Sequence, residues 1–482
     1  MMSTTTTLPT PAASKEVDVL VVGAGLSGLR AALDVQTAGL SYIVVEANDR
    51  VGGKTLSVPS KLNGPGVNDI GAAWINDTSQ SEMYGLLRKY GLHGETQRAE
   101  GMNLSLTTEG VVTYPHGTLP LDEHDQLLVA SVLQTLQGLA DQVDLENPAG
   151  GSIGKELDSM SISEYCSKTF QSDLVVGIVD TVTQSLLGVE AASVSMLSLV
   201  HYIKTATGVD AILSDCKDGG QYLRVREGTQ SFSRKMAEAL EPGTLLLSTP
   251  VTSIVQSSKT RICTVHTSSP THSTLHAKKI ILSIPTPLYH KISFNPPLSE
   301  DKTRLASDNI LGYYSKMIYV FDQPWWRTAG LSGVIESDLG PILFSRDTSI
   351  PDDDQWSITC FIVGKRGREW SLLSPSERRR TAWDQFRTTF ENAPGLSAKL
   401  DVPGPINILE VEWSKKEFFG GAPCPASPPG LLSSVDASAT WCPFEDVHFV
   451  GTETALVWKG YMEGAVRSGI RGAKEVIKVL KG

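Results

Sequence analysis

A glycine-rich turn between an apolar strand and a helix constrains the N-terminal part of this chain more than any other feature. Residues 17–22 have the sequence VDVLVV, apolar except for Asp18, and lead directly into residues 23–28, which have the sequence GAGLSG. Apolar residues then recur at helical spacing, at Leu26, Leu29, Ala32 and Leu33. Glycines at these positions allow a tight turn, close approach of the backbone to a pyrophosphate, and close packing of the helix on the sheet. The free N–H groups of the helix N-terminus can then hold the anion.

A second apolar strand follows and ends on a carboxylate. Tyr42 to Val45 form this strand, and Glu46 follows it, 18 residues beyond Gly28. A carboxylate at this distance accepts hydrogen bonds from both ribose hydroxyls and repels a 2′-phosphate, which argues against NADP. A GxGxxG sequence alone also occurs in ordinary turns, but here a complete β-α-β unit surrounds it. The sequence therefore predicts a dinucleotide site.

Charge and composition exclude several classes of partner. The chain has 482 residues, enough for two or three domains, and a formal net charge of −11. This charge disfavours a nucleic acid or an anionic membrane surface as partner. We find no apolar run long enough to span a membrane and no secretory signal. Residues 1–14 are rich in Thr, Pro, Ala and Ser, and we predict a disordered leader there and a cytoplasmic location.

The cysteines indicate neither a disulfide framework nor a metal site. The chain has six cysteines, scattered without a CxxC or similar spacing. A reducing compartment is consistent with this pattern. We predict no metal.

The pattern along the chain predicts an α/β protein with two interleaved domains. Residues 15–94, 216–300 and 411–482 are assigned to a dinucleotide-binding domain, and residues 95–215 and 301–410 to a substrate-binding domain. We expect residues 95–215 to be mainly helical, with helices over 127–143 and 161–187 and few strands. Antiparallel strands are predicted near 252–256 and 261–266, and further strands over 317–321 and 357–363. Helices are predicted over 376–390 and 464–480.

Further motifs carry a resemblance to a known family. They are Gly52-Gly53-Lys54-Thr55, Asp69 to Ile75 (DIGAAWI), Phe294 to Leu298 (FNPPL), Phe449 to Ala455 (FVGTETA) and Trp458 to Ala465 (WKGYMEGA). In this order they resemble the flavin-dependent monoamine oxidases and their polyamine oxidase relatives, from about Val17 to Lys474. The resemblance implies a Rossmann-like GxGxxG domain that binds FAD, interleaved with an α+β substrate domain of mixed sheet and helices. It also implies an amine substrate, with dioxygen as the final electron acceptor.

The resemblance also implies which residues contact FAD. These residues lie in the motifs above and in a few positions between them. The predicted FAD contacts are Gly23, Gly25, Leu26, Ser27, Gly28, Glu46, Ala47, Arg50, Gly53, Lys54, Ala72, Ala73, Trp74, Val251, Trp413, Gly451, Glu453, Gly460, Tyr461 and Met462.

Two residues are predicted to be catalytic. Lys316 lies in an apolar strand, where a lysine reaching solvent is the plainer interpretation. In the family, the lysine at this position holds a water against flavin N5 and assists the reaction of reduced flavin with oxygen. Tyr461 resembles one ring of the family's aromatic cage, which orients the amine nitrogen, although a packing tyrosine at a helix start is the alternative.

The opposite side of the predicted cage departs from the family. Ala422 stands where animal monoamine oxidases have the cysteine that links to the flavin, and Pro423 stands where they have the second ring. We therefore predict noncovalent FAD and a wider, less aromatic throat. Cys424 is the only neighbouring substitute for a tether, and Pro423 and Pro425 restrict the backbone around it.

The predicted substrate pocket contains Gln221, Tyr461, Pro423 and Trp74. Related amino-acid oxidases have an arginine at the position of Trp74, and its absence argues against an α-amino acid substrate. Asn76 stands where many polyamine oxidases have a histidine, which weakens the polyamine interpretation. For Gln221, a solvent-exposed loop amide is an equally good interpretation.

The resemblance implies oxidative deamination of a primary amine. Hydride leaves the carbon that bears the nitrogen for flavin N5, and water hydrolyses the imine to an aldehyde or ketone, with ammonia and hydrogen peroxide released. We expect a bulky or long-chain amine, such as a sphinganine-like mycotoxin. The alternatives are a polyamine or secondary-amine oxidase, and a catalytically inactive flavin-binding partner module. A homodimer is one of the oligomeric states left open.

Overall fold

The computed structural model describes residues 16–396 and 398–482, so the predicted leader lies outside the described residues. In this part of the chain the strands are β1 (Glu16–Val22), β2 (Tyr42–Val45), β3 (Ser57–Pro59), β4 (Val67–Asp69), β5 (Gly94–Thr96), β6 (Met102–Thr107), β7 (Gly110–Pro115), β8 (Leu223–Val225), β9 (Leu245–Leu246), β10 (Val251–Ser257), β11 (Ile262–Thr267), β12 (Thr274–Leu282), β13 (Ser293–Asn295), β14 (Ile310–Leu311), β15 (Tyr314–Phe321), β16 (Leu331–Ser337), β17 (Phe344–Asp347), β18 (Trp356–Val363), β19 (Asn407–Glu412), β20 (Pro425–Ala426) and β21 (Val447–Phe449).

The same residues form α-helices and short 3₁₀ turns. The α-helices are α1 (Leu26–Thr37), α2 (Ser81–Lys89), α3 (Glu123–Gln142), α4 (Ser152–Asp158), α5 (Ile162–Phe170), α6 (Asp173–Leu187), α7 (Met196–Thr205), α8 (Val209–Leu213), α9 (Gln230–Glu238), α10 (Glu300–Asp308), α11 (Trp325–Thr328), α12 (Gly364–Trp370), α13 (Pro375–Glu391) and α14 (Met462–Lys481). The 3₁₀ turns are Ala191–Ser193, Thr286–Lys291, Pro351–Asp353, Trp413–Lys415, Ala437–Thr440 and Thr452–Thr454.

The first large sheet is built around the N-terminal strand. Its order is β13-β10-β11-β12-β1-β2-β9, and β21 pairs with β12. The central pairs β12-β1, β1-β2 and β2-β9 are parallel, whereas β10, β11 and β12 are antiparallel. Strand β1 is buried along almost its whole length, as its run of valines and leucine predicts. Strands from distant parts of the chain therefore complete one sheet.

The second large sheet is mainly antiparallel. Its order is β19-β15-β18-β17-β16-β6-β7, and only the β16-β6 pair is parallel. Helix α13 packs against its outer face through a buried aromatic core that includes Phe321, Trp326, Phe386 and Phe390. The other face of this sheet is turned toward the helices α6 to α8. The space between them becomes one side of the candidate site.

The C-terminal helix completes the first domain by packing on the first helix. Two glycines of α14 allow this approach: a Cβ on Gly469 would lie 2.3 Å from the carbonyl oxygen of Ser27, and a Cβ on Gly472 would lie 2.3 Å from the side chain of Val450. Helix α14 is strongly amphipathic, and its apolar face lies in the same core as β1 and α1. The N-terminus of α1 consequently lies beside the middle of α14. No helix among the described residues is long and apolar enough to cross a membrane.

Most predicted elements are present with shifted ends, and one prediction is wrong. Residues 95–215 contain few strands, as predicted: besides the end of β5 they are β6 and β7. Strand β6 pairs with β16, which lies far away in sequence. The helix predicted over 161–187 is two helices, because Gln171 adopts a left-handed conformation at φ +50° and Ser172 caps the next helix.

Candidate active site

A large cavity lies where the two sheets and the helical layer meet. Its volume is about 1370 Å³, more than the roughly 300–1,000 Å³ of a typical small-molecule pocket. It begins at the carboxyl ends of β1 and β2, where ligands bind in open parallel sheets. From there it extends to the inner face of the second sheet and to α6 and α8. The space is large enough for a dinucleotide and a separate substrate.

The glycine-rich turn forms one end of the cavity. Gly23 has φ +100°, and a Cβ there would lie 2.6 Å from the carbonyl oxygen of Ser283. Gly25 is the N-cap of α1, which has no side-chain cap, so its first N–H groups remain available to an anion. Leu26 and Ser27 also line the cavity. Gly28 lies behind this wall: a Cβ there would lie 2.0 Å from the carbonyl oxygen of Gly23, so its role is to pack the helix on the turn.

Glu46 lies at the end of β2 and lines the cavity next to Ala47. Its carboxylate accepts hydrogen bonds from the backbone N–H of Ala24 at 2.7 Å and of Asn48 at 2.9 Å. The carboxylate therefore joins the glycine turn to the end of β2. Oε1 also accepts from the side-chain amide of Asn48 at 2.7 Å, so Oε2, which has one donor, keeps a further lone pair for a ligand hydroxyl.

The second glycine pair faces the first across the cavity. A Cβ on Gly53 would lie 3.3 Å from the Cα of Gly25, so side chains here would narrow the space in which a pyrophosphate would lie. Arg50 lies outside the cavity wall and holds this loop, because its guanidinium donates to the carbonyl oxygens of Gly53 at 2.8 Å and Thr55 at 3.1 Å. Lys54 lines the cavity and donates to the carbonyl of Pro423 at 3.0 Å.

C-terminal residues close the other side of this region. Gly451, Glu453, Gly460 and Met462 all line the cavity. Glu453 accepts a hydrogen bond from the backbone N–H of Thr286 at 2.9 Å. Helix α14 begins at Met462 and has no side-chain cap, so a second helix N-terminus points its positive end at the cavity.

Gly460 is required for close packing. Its φ is +87°, and a Cβ there would lie 2.6 Å from the ring of Tyr202. Any other residue would be strained and would also collide with this ring. Gly460 therefore brings the backbone against the cavity just before α14.

Lys316 is buried in β15, with its ammonium at the cavity wall. Nζ donates to the backbone carbonyls of Gly71 at 2.5 Å and Asp69 at 3.1 Å. It also lies 5.3 Å from the ring centres of both Trp74 and Phe361. Burial lowers the pKa of Lys316 to about 8, although the nearby Asp69 favours the charged form. The lysine is therefore held inside the protein and does not reach solvent.

Asp69 is the last residue of β4 and lies beside this lysine. Burial raises the pKa of Asp69 to about 6, while hydrogen bonds from Ser57 and Thr229 and the charge of Lys316 favour the carboxylate. The backbone N–H of Thr229 donates to Asp69 at 3.0 Å. Asp69 thus connects the segment whose carbonyls accept hydrogen bonds from Lys316 to the turn before α9.

Tyr461 is the N-cap of α14 and lines the cavity. Its ring stacks on Tyr202 with ring centres 6.0 Å apart and meets Trp458 edge to face at 4.7 Å. Burial raises the pKa of Tyr461 to about 12, so its hydroxyl stays protonated at neutral pH. The ring is fixed in place and presents its face and hydroxyl to the cavity.

The segment opposite Tyr461 carries the two departures from the family. Ala422 and Pro423 line the cavity, whereas Cys424 is fully buried and does not line it. Burial raises the pKa of the Cys424 thiol to about 12. A thiol that stays protonated and lies outside the cavity is a poor candidate for a flavin tether.

The remaining predicted residues also line the cavity. Gln221 contributes a buried Oε1 to which no donor among the described residues is hydrogen bonded. An orphaned acceptor of this kind indicates a ligand or water partner. Trp74 donates to Gln97 Oε1 at 3.0 Å, and Trp413 donates to the carbonyl of Ile70 at 3.0 Å. The others that line the cavity are Ala72, Ala73 and Val251.

The residues present fit a flavin dinucleotide. The uncapped N-terminus of α1 and two facing glycine pairs suit a pyrophosphate, Glu46 suits a ribose, and the uncapped N-terminus of α14 suits negative charge on a reduced flavin ring. Beyond them, Lys316 and Tyr461 border the part of the cavity nearest the second sheet. The glycine-lined end of the cavity therefore leads continuously into a chamber that can hold a substrate.

Sequence reasoning missed several residues of this chamber. Tyr202, Tyr314, Phe344 and Phe361 all line it. The rings of Phe344 and Phe361 stack at 4.2 Å. The alternation of side chains along β18 could have indicated that Phe361 faces the chamber. Its position opposite Lys316 depends on the strand register, which the local sequence does not indicate.

Comparisons with known proteins agree with this geometry. Residues 26–477 match the family described as flavin containing amine oxidoreductase. The chain is 31% identical over 462 residues to a protein of Dictyostelium discoideum described as "probable flavin-containing monoamine oxidase A", covering 95% of this chain and 97% of that protein. It is 27% identical to human flavin-containing amine oxidase B, covering 97% of this chain and 87% of that protein.

Solved structures give the same result. Cyclohexylamine oxidase from Brevibacterium oxydans superimposes with a TM-score of 0.87 at 28% identity, covering 97% of this chain and 100% of that one. Putrescine oxidase bound to putrescine superimposes with a TM-score of 0.86 at 28% identity, covering 96% and 99%. The predicted α/β fold class is confirmed. The chain belongs to the flavin-containing amine oxidoreductase family.

Proposed function

We propose that this protein is an FAD-dependent oxidase that deaminates a bulky or long-chain primary amine. The overall reaction converts the amine, dioxygen and water into an aldehyde or ketone, ammonia and hydrogen peroxide. The observation that carries the proposal is that buried Lys316 and Tyr461 border the same cavity as the glycine-rich turn. Retention of both residues also argues against a catalytically inactive flavin-binding module.

FAD binds without a covalent link in this proposal. The residues that would hold it are the two glycine pairs, Glu46 and the N-termini of α1 and α14. Ala422 lines the cavity without a reactive group, and Cys424 lies outside it. The chemistry that FAD supplies when bound is acceptance of a hydride from the amine carbon, with dioxygen as the final electron acceptor.

The chain's own residues prepare the amine. The nitrogen must be neutral to react, because its lone pair stabilises the positive charge that develops on the adjacent carbon. The buried, aromatic chamber around Tyr461 and Tyr202 disfavours an ammonium ion and so lowers the amine pKa. The face of Tyr461 orients the nitrogen, and Lys316 is placed to hold a water with its ammonium.

The two sheets also support the proposed division of the chain. Residues 15–94, 216–300 and 411–482 would form the FAD-binding domain, and their strands make the first sheet. Residues 95–215 and 301–410 would form the substrate-binding domain, which contributes most of the second sheet and the helices α3 to α8. The cytoplasmic location stays a prediction.

A peroxide-coupled assay tests the proposal. Protein reconstituted with FAD is supplied with aryl, alkyl, poly- and α-amino acid amines, and peroxide and ammonia are quantified together. We expect equal amounts of both products from long or bulky primary amines, and little from α-amino acids. The Lys316→Met variant should form peroxide more slowly while still binding FAD. Absence of peroxide with every amine would refute the proposal.

A polyamine is the second candidate substrate. In the part of the cavity wall beyond the flavin region, as far as the described residues define it, four carboxylates face two guanidinium groups. They are Asp180, Asp215, Glu336 and Asp338, against Arg346 and Arg366. A net negative wall attracts cations. Putrescine, bound in the structure of a relative, belongs in the same assay.

A further inference from the structure

A row of side chains crosses the second sheet from the catalytic lysine toward the far end of the chamber. Lys316 of β15 lies opposite Phe361 of β18, and Phe361 lies opposite Phe344 of β17. Phe344 lies opposite Glu336 of β16, which lies opposite Ser105 of β6. All five residues line the chamber. Neighbouring strands are about 4.8 Å apart, so Glu336 lies three spacings, roughly 14 Å, from Lys316.

The near part of this row is aromatic and the far part is polar. Phe344 and Phe361 stack with their planes 8° apart, so they form a flat apolar floor beside Lys316. Beyond that floor, the Oε2 of Glu336 accepts a hydrogen bond from the hydroxyl of Tyr114 at 2.8 Å. Among the described residues no donor is hydrogen bonded to its Oε1. Glu336 therefore offers a free acceptor to the chamber.

A donor lies diagonally across from this acceptor on the neighbouring strand. Arg346 is two residues beyond Phe344 in β17, so it lies on the same face of the sheet, and it lines the chamber. Its Nη1 donates to the carbonyl of Ser345 at 2.8 Å, and its Nε lies 3.7 Å from Asp215 Oδ2. In the part of the chain that the structure describes, it makes no other hydrogen bond. The guanidinium keeps unused N–H groups.

The opposite wall is mainly aliphatic. It is lined by side chains of α6 and α8, namely Leu174, Ile178, Val182, Leu186, Ile212 and Leu213, and α6 also contributes the polar Asp180, Thr181, Gln184 and Ser185. The chamber thus has a polar strip on the sheet, formed by Glu336 and Arg346, and a largely aliphatic wall on the helices. Such a space suits a tail that carries hydrogen-bonding groups on one side and methylenes on the other.

The strip itself carries one charge of each sign, at Glu336 and Arg346, although the wall as a whole is net negative and attracts cations. A second ammonium beside Glu336 would also face Arg346, and a carboxylate beside Arg346 would face Glu336 and Asp215. A hydroxyl can donate to the carboxylate and accept from the guanidinium without bringing another charge into the chamber. An alcohol therefore matches both charges of the strip, whereas a second amine matches only the carboxylates.

We infer that Glu336 and Arg346 bind hydroxyl groups on the tail of a long-chain amino alcohol, several methylenes away from the reacting carbon. The inference rests on the proposed amine oxidation and adds the substrate class and the residues that select it. These two residues are then determinants of specificity that lie two strand spacings (Arg346) and three strand spacings (Glu336) from Lys316.

Matched substrates test this inference. The holoenzyme is assayed with ω-amino alcohols and n-alkylamines of equal chain length, from short to long, together with α,ω-diamines and ω-amino acids. We expect the ratio of kcat/KM for amino alcohol over alkylamine to be near one for short chains and to rise to a maximum at the length that reaches Glu336. Because hydrogen bonds to charged groups are involved, the maximum should be about tenfold.

Variants assign the effect to the strip. Arg346→Met and Glu336→Gln should raise KM for the amino alcohol and so bring this ratio of kcat/KM close to one. Both variants should oxidise the alkylamine within about twofold of the wild type and retain FAD. Arg346→Lys, which keeps the charge, should restore part of the ratio. Arg368→Met and Glu238→Gln are matched controls, because both residues are exposed and pair on the surface.

The outcomes separate the inference from the proposed function. Oxidation of alkylamines with a ratio that is flat across chain length, or unchanged in both variants, would overturn the inference and leave the amine oxidase intact. A different contrary result is a diamine that has a higher kcat/KM than the amino alcohol and loses this advantage in Glu336→Gln. That result would overturn the inference, because it would show that the strip binds a second cation and not a hydroxyl. Failure to oxidise any amine would defeat both.

Discussion

Replacing Lys316 by methionine tests the environment of this buried lysine, because the variant removes a charge and keeps most of the volume. Burial lowers the pKa of Lys316 from 10.5 to about 8. This difference of about 2.5 pH units corresponds to about 3 kcal/mol of lost stability whenever the lysine is charged in both the folded and unfolded states. The variant also leaves the carbonyls of Asp69 and Gly71 without this donor, at about 1 kcal/mol each. At pH 7 the variant should therefore be more stable by about 1 kcal/mol.

The sign of the effect should reverse at high pH. Between pH 8 and 10.5 the unfolded chain binds more protons at this lysine than the folded chain does, so the stability of the wild type rises with pH across this window. Above it the penalty is gone, and the methionine variant retains only the loss of two hydrogen bonds. The variant should then be less stable by about 2 kcal/mol.

Thermal unfolding of the two proteins from pH 7 to pH 11 measures this difference. With about 2.1 cal/mol/K of unfolding entropy per residue, 1 kcal/mol corresponds to about 1 °C in a chain of this size. We expect Tm of the variant to begin about 1 °C above the wild type and to end about 2 °C below it. Lys235→Met, a change at an exposed lysine, serves as the control and should show no crossing. A difference in Tm between Lys316→Met and the wild type that does not change with pH would refute the lowered pKa of buried Lys316.

Other substitutions test the cavity walls. Gly460→Ala should release FAD and lower Tm, because the new Cβ would lie 2.6 Å from the ring of Tyr202, and flavin absorbance after gel filtration measures this; normal retention would contradict it. Cys424→Ser should leave flavin content and turnover unchanged, because Cys424 lies outside the cavity. Ala422→Cys places a thiol on the cavity wall and should retain flavin in acid-precipitated protein. The reverse pattern would contradict the positions that we assign to Ala422 and Cys424. Tyr461→Phe should lower kcat/KM by a few-fold and Tyr461→Ala by about tenfold or more, because the ring face contributes more than the hydroxyl to orienting the amine. Peroxide release measures both, and equal losses would show that the hydroxyl matters more.

The parts of the site that follow the chain locally could be predicted from the sequence. The glycine turn, the carboxylate after β2 and the start of α14 each depend on a few consecutive residues, and all line the cavity except Gly28 and Arg50. Those two lie behind the wall because one packs the helix and the other holds a loop. Residue type alone does not separate such supporting roles from direct contact.

The parts that depend on strand pairing could not be predicted. Phe344, Phe361 and Glu336 join Lys316 in one row only because the four strands β15, β18, β17 and β16 pair in this order and in a particular register. Tyr202 stacks on Tyr461 from the middle of a helix that also reads as ordinary core. Side-chain partners of this kind are set by tertiary contacts, which a single sequence does not reveal.

The most direct test of the central claim is the flavin content of the purified protein before and after acid precipitation. We expect one FAD per chain on reconstitution and all of the dye in the supernatant once the protein is precipitated. Protein that stays colourless with excess FAD would contradict the assignment of the glycine-lined cavity to this cofactor. Dye that stays with the precipitate would contradict a noncovalent site.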